Sequence, residues 1–237
     1  MKKSIDIKAL LILTTTFVIF TAVGTVSHEY GHILVAKYLG YETTLFYDSM
    51  TYDNEELFKK REKIYSKFKN EIEGNTDFEK KEEYRRLNKK LISNGFWITL
   101  GGPIQTIFTG LIGLFVLLLR KNQYKEFGLK WIDWLAVFLS LFWLREVFNL
   151  AMSIAFELIS PDGSFFSGDE VYISRGLGLW EGTIPLLLGA LGILVSAYVI
   201  FRIIPPQIRL TFLVSGLLGG GLGFFLWMDV LGPILLP

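Results

Sequence analysis

Residues 9–39 read ALLILTTTFVIFTAVGTVSHEYGHILVAKYL, and this stretch decides the fold. Ala9–Ser27 carries no charge and is close to the ~20 apolar residues that a helix needs to cross the hydrocarbon core of a bilayer. The apolar pattern continues through Ile33, Leu34, Val35, Ala36 and Leu39. Lys2 and Lys3 before an apolar run also suit a signal peptide, but the apolar region of a signal runs only about 7–15 residues, so the segment is read as a retained span. Working outward, Leu91–Leu119, Gly182–Phe201 and Leu210–Met228 are free of charge, and Trp131–Phe156 is apolar except for Asp133, Arg145 and Glu146. The expected fold is all-α: a polytopic integral membrane protein with five transmembrane helices and a polar helical insertion.

The composition agrees. Mean hydropathy is +0.41 and 51% of the 237 residues are hydrophobic. The 24 basic and 23 acidic side chains are unevenly spread, and 22 of them fall between Asp53 and Lys90. The remainder is too apolar for a water-soluble domain, which carries about a quarter charged residues throughout. A disordered chain and a nucleic-acid binder are excluded on the same grounds, the net charge being only +1. The expected setting is multi-pass in a membrane, with the bacterial cytoplasmic membrane as its place. Cysteine is absent, which removes disulfides, thiol catalysis and thiolate metal ligands.

Three regions follow. Residues 1–40 form the first span. Residues 41–95 begin with a Thr-, Tyr- and Phe-rich stretch, Tyr41–Tyr52, that reads as a short strand or hairpin arm. They continue as two polar helices broken at Glu73-Gly74-Asn75, with Leu57, Phe58, Ile64, Tyr65, Phe68 and Ile72 as a thin apolar stripe. Residues 96–237 hold the other spans and a loop at 157–181. The glycines of the last two spans, Gly189, Gly192, Gly216, Gly219, Gly220, Gly221 and Gly223, predict close helix packing within the monomer.

The only two histidines fall four apart, in His28-Glu29-Tyr30-Gly31-His32. On a helix, positions four apart share a face. Both imidazoles can then reach one metal ion while Glu29, beside them, takes a proton from water. Ionisable groups inside an apolar segment are costly and functional by default. Such a centre needs a third ligand from another segment. The histidines lie at the insertion end of span one, and the 157–181 loop lies on that same side. It offers Asp162, Asp169 and Glu170. Arg145, Glu146 and Asn149 are the remaining polar cluster in a span. They read either as an internal tie, with Arg145 paired to a carboxylate such as Glu157, or as a functional group in which Asn149 donates to substrate.

The motif resembles that of the site-2 protease family of intramembrane zinc metalloproteases. Gly follows at its fourth place, Gly101-Gly102-Pro103 resembles the family's Gly-Pro break at the start of span two, and Phe148-Asn149-Leu150 resembles its Asn segment, followed by an aspartate. The resemblance implies membrane helices around zinc, His28 and His32 with one Asp as ligands, and Glu29 as the catalytic base. It also implies a transmembrane or membrane-proximal peptide as substrate, contacted at Gln105 and Asn149. Two departures stand out: Gln105 and Thr106 replace the Asn after Gly-Pro, and Asn149-Leu150-Ala151-Met152 lacks the proline of Asn-x-x-Pro. The family's Asp-Gly pair has two counterparts, Asp162-Gly163 and Asp169 at the head of a short helix over Val171–Leu179, and Asp169 is preferred. The alternative function is a non-proteolytic membrane scaffold whose zinc site is structural or vestigial. A transporter would spread polar residues along several spans, whereas here they gather at one end.

Overall fold

The computed structural model describes residues 5–161 and 166–236. It is mostly helical, and five helical segments are long and apolar enough to cross a membrane: Ile7–Tyr38, Lys81–Leu119, Trp131–Ile159, Thr183–Ile203 and Arg209–Leu235. The first two are single helices, α1 (Ile7–Tyr38) and α4 (Lys81–Leu119). The third joins α6 (Trp131–Ser140) to α7 (Leu144–Ile159) through one tight turn. The fourth and fifth contain α9 (Thr183–Tyr198) and α10 (Arg209–Phe225), each continued by a wider helical turn. Many large apolar side chains face outward, among them Leu11, Ile19, Phe108, Phe115, Leu194 and Leu217. In water this would be an aggregation surface; in lipid it is the solvated face.

Both ends of α1 are set by local chemistry. The Asp6 side chain accepts a hydrogen bond from the Ala9 N–H at 3.0 Å, satisfying a free donor of the first turn. At the other end Gly40 adopts φ +86°, the Gly40 N–H reaches the Lys37 carbonyl, and the Tyr41 N–H reaches the Ala36 carbonyl. This Schellman closure stops the helix nearly two turns beyond His32. The chain then forms the expected hairpin, β1 (Thr43–Leu45) antiparallel to β2 (Met50–Tyr52) with Thr44 opposite Thr51. The hairpin turn is fastened to the C-terminal segment: the Tyr47 N–H donates to Leu236, and the Trp227 indole donates to the Tyr47 carbonyl at 2.8 Å.

The insertion departs from the sequence reading. Its break falls near Gly74-Asn75 as expected, after α2 (Glu55–Lys67) and α3 (Lys69–Glu73). The second polar helix, however, is not a separate element. It runs unbroken into the second span as the 39 residues of α4, passing straight through Asn88 and Ser93-Asn94-Gly95. Nor does Gly101-Gly102-Pro103 break the helix. Pro103 sits inside α4, where it costs one backbone hydrogen bond, at the Thr99 carbonyl.

The spans meet through small residues, as expected for Gly189, Gly192, Gly216, Gly219 and Gly223, whereas Gly220 and Gly221 face open space. On α10, Gly216 and Gly219 lie against Phe17, and Gly223 lies against Val18 and Thr21. Gly113 of α4 lies against the backbone of Ala136 and Ser140, Gly192 of α9 against the Trp143 carbonyl, and Gly189 against Leu150. A dry cluster of Leu13, Phe17, Leu117, Phe138, Val199 and Phe212 fills the bundle end away from the histidines. The Phe17 and Phe138 rings stand edge to face, 4.9 Å apart.

α1 and α4 also cross closely. A methyl group on Gly31 would strike the Gly101 carbonyl, and one on Gly101 would strike the Gly31 carbonyl. Gly101→Val therefore forces the two helices apart. Overpacking of this kind costs about 1–3 kcal/mol, so the variant should show a lowered unfolding temperature in detergent. Gly220→Ala, with nothing within 4 Å of the added methyl, is the matched control and should be neutral.

Candidate metal centre

The α1–α4 crossing fixes the surroundings of both histidines. Ile98, Gly102 and Thr106 lie four apart on α4 and so line one face of it, opposite His28 and His32. The His32 Nδ1 lies 2.7 Å from the Ile98 carbonyl, which cannot donate, so Nδ1 carries the proton. The Gly102 N–H also lies 3.3 Å from that nitrogen, but the shorter contact decides the tautomer. The His28 Nδ1 is 2.9 Å from the Thr106 hydroxyl, itself fully buried. Both imidazoles are thereby oriented with their Nε2 atoms turned to the same space. His28 is 1% exposed, and Glu29 and His32 are 7% exposed. Ligand atoms of His28, Glu29 and His32 all lie within 4.8 Å of one another.

A third group enters from the far side of the chain. The short helix α8 (Asp169–Gly176) packs on α4 and α9. Gly168 precedes it with φ +87°, and Gly178, at φ +68°, ends it in a second Schellman closure, with Leu179 bonded to Ser174 and Gly178 to Arg175. Asp169, the first residue of α8, places Oδ2 3.0 Å from His28 Nε2 and 3.2 Å from His32 Nε2. Burial alone would push this carboxyl up; the hydrogen bonding and charge of His28 and His32 outweigh it and hold it well below the usual carboxylate range. It is therefore ionised over the whole neutral range.

These distances suit a metal ion. Three donors about 2.0 Å from a tetrahedral ion stand about 3.3 Å apart. With Nδ1 of His32 engaged at the Ile98 carbonyl, its Nε2 faces the Asp169 oxygen, a contact that either a proton on that nitrogen or a metal ion between the two makes favourable. Space for an ion exists. A methyl on Gly102 would fall against both Nε2 atoms, so the absence of a side chain there leaves the cradle open.

Of the other residues expected at the site, Asn149 is close but engaged. Its amide nitrogen donates to Glu170 Oε1 at 3.3 Å, which ties α7 to the residue after Asp169. Gln105 lies at the α1–α4 crossing with its amide nitrogen bonded to Thr109 at 2.9 Å and its Oε1 buried without a partner among the described residues. Asp162 lies outside the described residues. The sequence reading named Gly102 and Thr106 only as part of the Gly-Pro segment and did not name Ile98; their four-residue spacing was the available signal that they act together. Glu146 and Glu170, both named from the sequence, are each 2% exposed and interact with one another.

Fold and site together define a multi-span helical membrane protein with a buried His-Glu-His cluster able to bind metal. No family model matches the chain, and neither a curated protein nor a solved structure is found similar to it. The resemblance to site-2 proteases therefore rests on the motifs alone. Purified in detergent, the chain should carry about one divalent metal ion. Gly102→Ala should lower that content sharply while the helical circular dichroism stays unchanged, and His32→Ala should abolish it. Full metal content in Gly102→Ala would show that the ion sits elsewhere.

Proposed function

We propose that the chain is a membrane-embedded zinc metalloprotease that cleaves peptide bonds of transmembrane or membrane-proximal segments. His28, His32 and Asp169 would hold the zinc and leave one coordination position open. The observation that carries the reading is the convergence of two imidazoles, each held by a hydrogen bond at its Nδ1, and an ionised carboxylate, with a buried glutamate beside them.

When bound, zinc supplies a Lewis acid that lowers the pKa of water and polarises a carbonyl. Glu29 accepts the proton as water attacks the scissile carbon, and returns it to the departing amide nitrogen. Peptide and water thus become a carboxylate and an amine. Thr106 and the Ile98 carbonyl keep the imidazoles from rotating, a role whose loss commonly weakens metal affinity 10- to 100-fold. A substrate helix must unwind locally to be cut, because its peptide bonds are otherwise engaged in their own hydrogen bonds. Gln105 supports such a role, since its buried Oε1 is free to accept from an exposed substrate N–H.

The test uses protein reconstituted in liposomes with a panel of single-span peptides that carry Gly or Pro at mid-span. The wild type should cleave within or beside the span. Glu29→Gln should retain zinc and lose cleavage, by at least about 100-fold for the loss of a general base. Thr106→Val should keep the fold and weaken zinc about 10- to 100-fold. A wild type with full zinc and no cleavage of any peptide would favour the scaffold function instead.

A further inference from the structure

The polar end of α4 passes into its apolar run beside a groove. Arg85, Arg86, Lys89 and Lys90 are all exposed there, and no acidic residue follows them on the helix. Among the described residues Arg85 pairs with the exposed Glu82 at 2.9 Å, and Arg86, Lys89 and Lys90 form no ion pair. A surface pair of that kind is worth little, so Arg85 can exchange Glu82 for a better acceptor. Arg85, Lys89, Ile92 and Phe96 recur at helical spacing and so share one face of α4. That face lines a groove of about 440 Å³, whose other wall includes Gly176 at the end of α8. A methyl on Gly176 would strike the Phe96 ring, so the two helices touch there.

Two chemistries meet in this groove. Its polar lining is Tyr84, Arg85, Asn88, Lys89 and Ser93, each of which carries a hydrogen-bond donor, and no carboxylate lines it among the described residues. Its apolar lining is Ile92, 65% exposed, and Phe96. Because α4 runs from the charged insertion into the span, Arg85 and Lys89 stand on the water side and Phe96 lies about 16 Å from Arg85 along the axis, toward the hydrocarbon. We propose that the groove binds one anionic phospholipid of the surrounding bilayer, with its phosphate against Arg85 and Lys89 and an acyl chain along Ile92 and Phe96. Cations and donors without a carboxylate suit an anion, and the exposed apolar strip below them suits a hydrocarbon chain, which free phosphate lacks. Clusters of cations at the water end of a span attract anionic lipid in this way. Seated there, the lipid touches both α4 and α8 and braces the helix that carries Asp169. Binding needs neither zinc nor cleavage, so this site and the protease reading fail separately.

The full chain in mild detergent is titrated with dioleoylphosphatidylglycerol, dioleoylphosphatidylcholine or inorganic phosphate, and bound lipid is counted by native mass spectrometry. The wild type should hold one phosphatidylglycerol, about 10-fold or more tighter than phosphatidylcholine, and millimolar inorganic phosphate should not displace it. Arg85→Gln with Lys89→Gln removes both cations from the groove and should weaken phosphatidylglycerol about 30-fold. Arg86→Gln with Lys90→Gln removes the same charge from outside the groove and should stay within about threefold of the wild type. All four sites are exposed, and unchanged helical circular dichroism verifies the fold of each variant. Equal affinity of the wild type for the two lipids would overturn the proposal. An equal loss in both double variants would reduce the effect to diffuse surface attraction and overturn it as well. Displacement by inorganic phosphate would make the groove a site for the free anion rather than for a lipid, again overturning it.

Discussion

Where α1 crosses α4, each of Gly31 and Gly101 turns its carbonyl toward the space that a methyl group on the other would fill. Every feature of the candidate centre depends on that approach. It brings the Ile98 carbonyl within 2.7 Å of one imidazole and the Thr106 hydroxyl within 2.9 Å of the other. It sets Gly102 opposite both Nε2 atoms. In lipid, where apolar surface gains nothing by leaving the solvent, helices associate through van der Waals contact and buried hydrogen bonds. Small residues at the crossing supply the first, and the two histidines, each bonded across the interface, supply the second. The histidines therefore help to join the helices as well as offering nitrogen lone pairs.

The second constraint is the placement of Asp169. A carboxylate at the start of an eight-residue helix sits near the favourable end of the helix dipole, and α8 is bounded by glycines at positive φ on both sides. Ser174 further ties α8 to the head of α9, its hydroxyl accepting from the Ile184 N–H at 3.1 Å. The short helix is thus a rigid mount for its first residue. Behind it lie Glu146, Glu170 and Asn149, a buried polar layer on the side of Asp169 away from the histidines.

Much of this was legible in the sequence because the signals are local. Charge-free runs gave the spans, the four-residue spacing placed both histidines on one helix face, and Asp169 stood out at the head of a short polar helix on the correct side. The hairpin at 43–52 followed from Thr and Tyr alternation. What was not legible depends on register between helices. Nothing in the local pattern of α4 says which of its faces meets α1, so Ile98, Gly102 and Thr106 were not recognised as a set. Asn149 looked free because its partner, Glu170, lies 21 residues away across a loop. The Gly-Gly-Pro segment was read as a break because it resembles the family's Gly-Pro break; here the helix runs through it, packed against α1.

Zinc-edge X-ray absorption on the detergent-purified chain tests the account most directly. The account requires two imidazole nitrogens and oxygen donors at about 2.0–2.1 Å, four-coordinate, with one oxygen exchangeable. A spectrum with fewer than two imidazoles, or a protein that takes up no zinc when it is supplied, would contradict it.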